Sequence, residues 1–287
     1  MAKTDTFEKY QTYETAWCPG CGNFSILPAL KRALEETGKD PHEVLMVAGI
    51  GQAAKTPQYI SANSFCGLHG RALPAAVAAK IANERLTVVV STGDGDSYGE
   101  GGNHFLHNIR RNVDITHFVH DNQIYGLTKG QASPTSEEGH VTGVQTQGNI
   151  NTPLNPVLLA LAAGAGFVAR AFTGDQEQLV MIMKQAIKYR GYALVDILQP
   201  CVSFNKINTF ADTSKRVYHL PDNYDPTSKL AALEAALEFG KKIPTGIFYS
   251  VERPTFHQHH EVLSEGGALV TRPIARDAIR SLMKEFI

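Results

Sequence analysis

Five short runs of apolar, mostly β-branched residues punctuate the chain, at 44–48, 86–90, 115–119, 167–171 and 194–198, and each reads as a strand. Between and around them, apolar residues return every three or four positions over 24–37, 72–83, 103–111, 154–164 and 176–190, the period of a helix with one buried face. The strand runs are continuous rather than alternating, the pattern of strands covered on both sides. This order predicts an α/β fold, a mainly parallel open sheet with helices on both faces. Open parallel sheets take ligands beyond the carboxyl ends of their strands. The chemistry-bearing residues fall there: Gly49-Ile50-Gly51 after the first run, Gly93-Asp94-Gly95-Asp96 after the second, Asp121-Asn122 after the third and Pro200-Cys201 after the last.

After Cys201 the pattern lapses into polar, turn-rich sequence, followed by a helix at about 230–239 and a helical pattern from Pro273. The expected organisation is therefore a ligand-binding α/β domain over 1–201 and an irregular C-terminal extension over 202–287 that contacts another subunit. There is no internal repeat. Composition narrows the function: 43% hydrophobic residues support a real core, and 27 basic against 28 acidic residues without a basic run leave no footprint for nucleic acid. The first residues lack an apolar signal segment, and no run approaches the roughly 18 apolar residues of a membrane span, so the expected location is cytoplasmic. Four cysteines are too few for a disulfide scaffold in 287 residues and suit a metal or redox site.

The stretch STGDGDSYGEGGNH combines glycines, which let backbone N–H groups approach a phosphate, with acids that would repel it. A bridging divalent cation reconciles the two. Twenty-six residues, Asp96 to Asp121, separate Gly95 from Asn122, enough for one helix and the return strand, so Asp94 and Asn122 meet at one sheet edge. A carboxylate, an amide oxygen and a backbone carbonyl near Ile124, with two phosphate oxygens and water, complete an octahedral Mg²⁺ shell. Two rivals share these letters. DGDS resembles an aspartyl-phosphate phosphatase motif, but Ser91-Thr92-Gly93 separates the apolar run from its first acid. Gly49 to Ala54 mimics a dinucleotide fingerprint, yet no acid lies between Val44 and Asn83 to bind a ribose, and an NADP variant would lean on Arg71 alone. The pair Cys18 and Cys21 in CPGCG suits one metal centre, whereas a zinc ribbon would need a second local knuckle; an iron–sulfur cluster accepts looser spacing to Cys66 and Cys201. Zinc or an idle thiol pair remain the alternatives.

GDG followed by Asn at this interval resembles the thiamine diphosphate motif. WCPGCGN, GIG before a lysine, LHGRALP, GDGD and DNQIYGLTKGQASPTS then follow in the order seen in β subunits of 2-oxoacid:ferredoxin oxidoreductases, and ERPTFHQ at 252–258 adds to the similarity. The segment after Asn122 is closer to the 2-oxoglutarate type than to the pyruvate type. The resemblance implies thiamine diphosphate in a cleft built from Gly49, Ile50, Gly51, His69, Gly93, Asp94, Gly95, Asp96, Asn122, Ile124, Gly126 and Leu127, with Mg²⁺ on Asp94, Asn122 and the Ile124 carbonyl. It further implies a [4Fe-4S] cluster on Cys18, Cys21 and Cys201. Many members carry a cysteine directly after GIG, where this chain has Gln52. Cys66 is the remaining candidate for the fourth ligand, the alternatives being a non-cysteine ligand or loss of the cluster. Lys55 and Lys129 are expected to meet substrate carboxylates, and His69 the cofactor phosphates or thiazolium. The implied reaction is reversible oxidative decarboxylation of a 2-oxoacid, the ring acting as electron sink, the acyl group passing to coenzyme A and the electrons to ferredoxin. An α subunit would supply the glutamate that activates the aminopyrimidine, in an (αβ)2 assembly. Two other readings stand beside this one: a non-redox thiamine-dependent decarboxylase or synthase, and a zinc-stabilised non-catalytic subunit.

Overall fold

Strands and helices alternate in space much as they do along the sequence. A computed structural model describes residues 9–11, 13–273 and 276–286. The first half runs α1 (Asn23–Glu36), β1 (Val44–Ala48), β2 (Asn63–Cys66), α2 (Ala72–Ala82), β3 (Thr87–Gly93), α3 (Gly102–Arg111) and β4 (Ile115–Asp121). The second half runs α4 (Pro156–Ala162), β5 (Phe167–Phe172), α5 (Gln176–Lys188), β6 (Tyr192–Leu198), α6 (Phe210–Arg216), β7 (Val217–His219), α7 (Lys229–Leu237), β8 (Ile243–Ser250), α8 (Glu261–Ser264) and α9 (Arg276–Lys284). The strands form one eight-stranded sheet in the order β2-β1-β3-β4-β6-β5-β8-β7, parallel throughout except between β5 and β8. Among the described residues no helix is long and apolar enough to cross a membrane.

The expected parallel sheet with helices on both faces is what the chain builds. Successive side chains of each strand point to opposite faces, so Val89 and Phe118 join α1 and α5 in one core while Val88, Val90 and Val119 join α2, α3, α4 and α7 in the other. Polar residues end these strands without interrupting them: β3 continues through Ser91-Thr92-Gly93 and β4 through His120-Asp121, past the apolar runs that announce them.

Three strands escaped the hydrophobic pattern. Edge strand β2 is exposed along its length and has no apolar face to betray it. The other two, β7 and β8, lie in the stretch read as an irregular extension, and β8 pairs with β5 to continue the sheet. Pro244 and Gly246 disguise β8, although Phe248 is fully buried in the core. The helical pattern from Pro273 is realised in α9; Ile274 and Ala275 lie outside the described residues, as do 1–8, Thr12 and Ile287.

The centre of the sheet holds a buried ion pair. Arg170 Nε on β5 lies 3.3 Å from Asp196 Oδ2 on β6, and neither side chain is exposed. Tyr98 Oη donates to Asp196 Oδ1 at 3.0 Å, and the guanidinium lies over the Phe239 ring at 4.5 Å. Removing one partner strands a buried charge, which costs far more than an intact buried pair contributes. Arg170→Met is therefore expected to destabilise the chain by about 3–5 kcal/mol in urea unfolding. A loss of only about 0–1 kcal/mol, as for an exposed pair, would show that Asp196 finds other compensation.

Candidate active site

The sheet order places β1 beside β3 although β2 and α2 intervene in sequence, so the chain reverses its direction across the sheet between them. Such a switch point opens a crevice at the carboxyl ends of the strands. Gly49–Gly51 leave β1 on one side, while Gly93 pairs with His120 so that Asp94 leaves β3 beside the end of β4 at Asp121, and Asn122 follows. A single turn of π-helix, Gly95–Glu100, follows Asp94, an irregularity common at functional sites.

The cleft is lined by Ile50, Gly51, His69, Gly93, Asp94, Gly95, Asp96, Asn122, Ile124, Gly126 and Leu127, eleven of the residues named from sequence. Gly49 lies behind it against Asp96; a Cβ there would come within 2.1 Å of Asp96 Oδ2. Gly95 is pinned by Tyr125 in the same way, a Cβ meeting the ring at 2.1 Å. Lys55 and Lys129 do not line the cleft but flank it, each one or two residues from a lining residue, Ala53 or Thr128. Gln52, Ala53, Tyr125 and Thr128 complete the lining, none of them among the cofactor-binding residues expected from sequence.

Charge in the cleft is tightly managed. The Asp94 carboxyl is buried, and burial pushes it up to about 6 against the opposing pull of the Ser133 and Thr135 hydroxyls. Thr135 Oγ1 lies 2.7 Å from Asp94 Oδ2 and 2.8 Å from Asp121 Oδ1. A hydroxyl has one proton and two lone pairs, so Thr135 donates to one acid and accepts from the other. Burial drives Asp121 well above the usual carboxylate range, and the charges of Asp196 and Asp94 add to it. Burial thus disfavours the charged form of both acids, and of Asp121 more than of Asp94.

The loop beyond β4 turns on Gln123, which adopts φ +57°, a left-handed conformation rare for a side chain of this kind. Ser136 Oγ donates to its carbonyl at 2.6 Å, and its own Nε2 donates to the Thr135 carbonyl at 3.1 Å. Asn122 Oδ1 accepts the Ile124 N–H at 3.0 Å. One carboxylate, one amide oxygen and a loop carbonyl on a shared cleft are the hard oxygen donors that Mg²⁺ takes, and these residues fit it.

Asp96 clamps neighbouring loops: the Gly70 N–H donates to Oδ1 at 2.6 Å, the Ile50 N–H reaches the same carboxylate, and Oδ2 is buried without a partner. His69 Nδ1 sits 2.9 Å from Glu100 Oε2 and 3.7 Å from Asp96 Oδ1, near enough to pair when protonated but unaligned for a hydrogen bond. Tyr125 Oη donates to Glu100 Oε2 at 3.1 Å, completing a polar cluster in which Tyr125 and Glu100 went unnoticed in the sequence.

The cysteines divide into three and one. Cys21 N–H donates to the Cys18 carbonyl at 3.0 Å, closing the turn of CPGCG. Burial pushes the Cys21 thiol up, and the nearby charges of Cys201 and Cys18 add to the effect. Gln199 Nε2 and the Phe204 N–H donate to the Cys21 and Cys201 sulfurs at 3.3 and 3.4 Å. Trp17 staples this corner to the cleft: its Nε1 donates to the Gln52 carbonyl at 2.9 Å and its ring meets Tyr59 edge-on. Cys201 Sγ in turn lies 3.9 Å from where a Cβ on Gly126 would stand, so this thiol borders the cleft. Cys66 ends the edge strand β2, its sulfur 4.0 Å from the Ala54 carbonyl, and burial alone raises its thiol. Cys18 and Cys201 act electrostatically on the Cys21 thiol, whereas the Cys66 shift comes from burial. Among the described residues, no three His, Cys, Asp or Glu side chains close on one point. Thiolate sulfurs are the donors an iron–sulfur cluster takes, and in this structure they do not converge on one point.

Comparisons with known proteins agree with this geometry. Residues 44–197 match the family model of the thiamine pyrophosphate enzyme C-terminal TPP-binding domain, and residues 201–265 match that of the C-terminal region of the pyruvate ferredoxin oxidoreductase beta subunit. The fold and its cleft are thus those of a thiamine diphosphate-binding enzyme domain. The 2-oxoacid:ferredoxin oxidoreductase β subunit of Saccharolobus solfataricus is 43% identical over 276 residues, 92% of this chain and 90% of that one. The 2-oxoglutarate oxidoreductase subunit KorB of Mycobacterium tuberculosis is 45% identical over 192 residues, 67% of this chain and 52% of that one. A solved 2-oxoglutarate:ferredoxin oxidoreductase from Magnetococcus marinus, with 2-oxoglutarate, coenzyme A and succinyl-CoA bound, superposes with a TM-score of 0.90 at 36% identity, covering 98% of this chain and 96% of that one. The chain belongs to the β subunits of the 2-oxoacid:ferredoxin oxidoreductases.

The buried Asp94 sets a pH dependence. A carboxyl raised on folding favours the folded chain below its ordinary range, and that advantage is lost as pH rises past about 6. Should Asp94 ligate Mg²⁺ on a bound diphosphate, it would have to be ionised, and binding would then offset the loss. The thermal stabilisation conferred by Mg²⁺ with thiamine diphosphate is expected to grow between about pH 5 and about pH 7. A stabilisation that is flat across that interval would mean that Asp94 is not the ionising ligand.

Proposed function

We propose that the chain, with its α partner, oxidises 2-oxoglutarate in the presence of coenzyme A and passes the electrons through a [4Fe-4S] cluster to ferredoxin, as a cytoplasmic (αβ)2 enzyme able to run in reverse. The observation that carries this reading is the juxtaposition of an oxygen-donor cleft with a thiol corner across Gly126. The superposed enzyme from Magnetococcus marinus, whose structure holds 2-oxoglutarate and coenzyme A, supports the choice of substrate.

In this reading Asp94, Asn122 and the Ile124 carbonyl hold Mg²⁺ on the cofactor diphosphate, and the backbone around Gly93 and Gly95 admits its phosphates. When bound, thiamine diphosphate supplies the carbanion that attacks the ketone and accepts the electron pair left by departing CO₂. Asp96 keeps the Gly49–Gly51 and Gly70 loops together, and His69 faces the cleft beside it. Ile50, Leu68 and Leu127 stand exposed around the opening. Such an apolar rim marks a protein contact, and in the assembly the α partner covers it, excludes water and brings the glutamate for the aminopyrimidine. Cys18, Cys21 and Cys201 hold the cluster; Cys66 is the fourth ligand only if the β2 end moves toward them. The complex purified without oxygen is expected to contain iron and acid-labile sulfide and to reduce ferredoxin only when 2-oxoglutarate and coenzyme A are both present. Decarboxylation by iron-free complex would favour the non-redox thiamine reading instead.

Two substitution series probe the named residues. Lys55→Ala and Lys129→Ala should each raise KM for 2-oxoglutarate about tenfold or more, the worth of a charge-assisted contact, and leave KM for pyruvate nearly unchanged; equal effects on both substrates would remove the lysines from the distal carboxylate. Cys201→Ala should abolish the visible charge-transfer absorption of the cluster while Cys66→Ala retains it. Loss of that absorption in Cys66→Ala would place Cys66 in the ligand set.

A further inference from the structure

The three oxygen donors assigned to Mg²⁺ come from two strands, and the ladder alone does not align a side chain beyond β3 with a loop beyond β4. Thr135 spans that gap from a third direction. It belongs to the run Ala132–Ser136, folded back under the cleft by the long connection between β4 and α4, and it is fully buried without lining the cleft. Its Oγ1 reaches Asp94 Oδ2 at 2.7 Å and Asp121 Oδ1 at 2.8 Å. Its carbonyl accepts Gln123 Nε2 at 3.1 Å, and the next residue holds the Gln123 carbonyl through Ser136 Oγ at 2.6 Å. Gln123 is the left-handed residue between Asn122 and Ile124. One residue thus restrains the Asp94 carboxylate through its hydroxyl and the Asn122–Ile124 turn through its backbone.

We infer that Thr135 is a positioning residue for the metal site, fixing the orientation of the Asp94 carboxylate relative to the Asn122–Ile124 loop. The inference rests on the reading of Asp94, Asn122 and Ile124 as the Mg²⁺ ligands. Groups that orient metal ligands from behind govern affinity, because a ligand free to rotate must be ordered again on binding. An apolar neighbour of the same size would leave Asp94 buried but lose the hydrogen bond on its Oδ2, leaving Ser133 as the remaining hydroxyl on that carboxylate.

The test uses the complex with its α partner, saturated with thiamine diphosphate, and Mn²⁺ as the probe, titrated by the EPR signal of the free ion. Thr135→Val, which keeps the shape and removes the hydroxyl, is expected to raise the Mn²⁺ Kd about 10- to 100-fold, and Thr135→Ser to restore the wild-type value. A folded Thr135→Val complex that binds Mn²⁺ as tightly as wild type overturns the inference. Should the valine variant not assemble, Thr135→Ser and Thr135→Cys are compared, since a thiol occupies the same position as a much weaker donor; weaker binding by the cysteine variant supports the inference and equal affinity overturns it. Wild-type complex that takes up no Mn²⁺ alongside thiamine diphosphate overturns the ligand assignment itself, and this inference falls with it.

Discussion

The parallel ladder between β3 and β4 is the constraint on which the cofactor edge depends. With Gly93 opposite His120, Asp94 leaves β3 beside Asp121, the last residue of β4, and Asn122 follows at the same edge, so Asp94 and Asn122 line one cleft. The adjacency of β1 to β3 then adds the Gly49–Gly51 loop, and the turn after β2 adds His69. A slip of one residue in this ladder would turn Val89 and Phe118 away from their core, so the hydrophobic burial that stabilises the sheet also sets the position of the site.

Placing acids at the end of a covered sheet has an electrostatic cost, and much of the polar interior answers it. Asp94, Asp96, Asp121 and Asp196 are all buried and all raised above the usual carboxylate range. Each has a different remedy. Asp196 takes Arg170 and Tyr98, Asp96 takes backbone N–H groups, and Asp121 shares the Thr135 hydroxyl with Asp94. His117 and His120, driven down to about 3 by burial, contribute as neutral hydrogen-bonding groups; His120 Nδ1 donates to Asn23 Oδ1 at 2.7 Å and so ties β4 to the start of α1, beside the cysteine turn. The interior holds polarity where the cleft needs it and neutral partners elsewhere.

The legible and illegible parts of this architecture separate by physical cause. Continuous apolar runs announced β1 and β3 to β6 because burial on both faces demands them, and glycine-acid punctuation at their ends announced the cleft. Strand β2 stayed hidden because an exposed edge needs no apolar face, and β8 because Pro244 and Gly246 interrupt a strand that pairs antiparallel at the margin. Among site residues, Tyr125 and Thr135 stood inside a quoted motif, yet nothing in their type or spacing says that one packs on Gly95 and the other bridges two acids.

The sequence by itself determined the α/β class, the strand ends that carry chemistry, and a donor set suited to a metal-bound diphosphate beside a cysteine turn. Those properties are local: residue type, period and interval encode them. Only the tertiary structure decided that Cys66 ends an edge strand with its sulfur beside the Ala54 carbonyl, that Lys55 and Lys129 flank the cleft without lining it, and that Thr135 lies between Asp94 and Asp121. Each of those facts depends on which distant segments share an edge, and strand order and loop packing set that, whereas no interval along the chain records it.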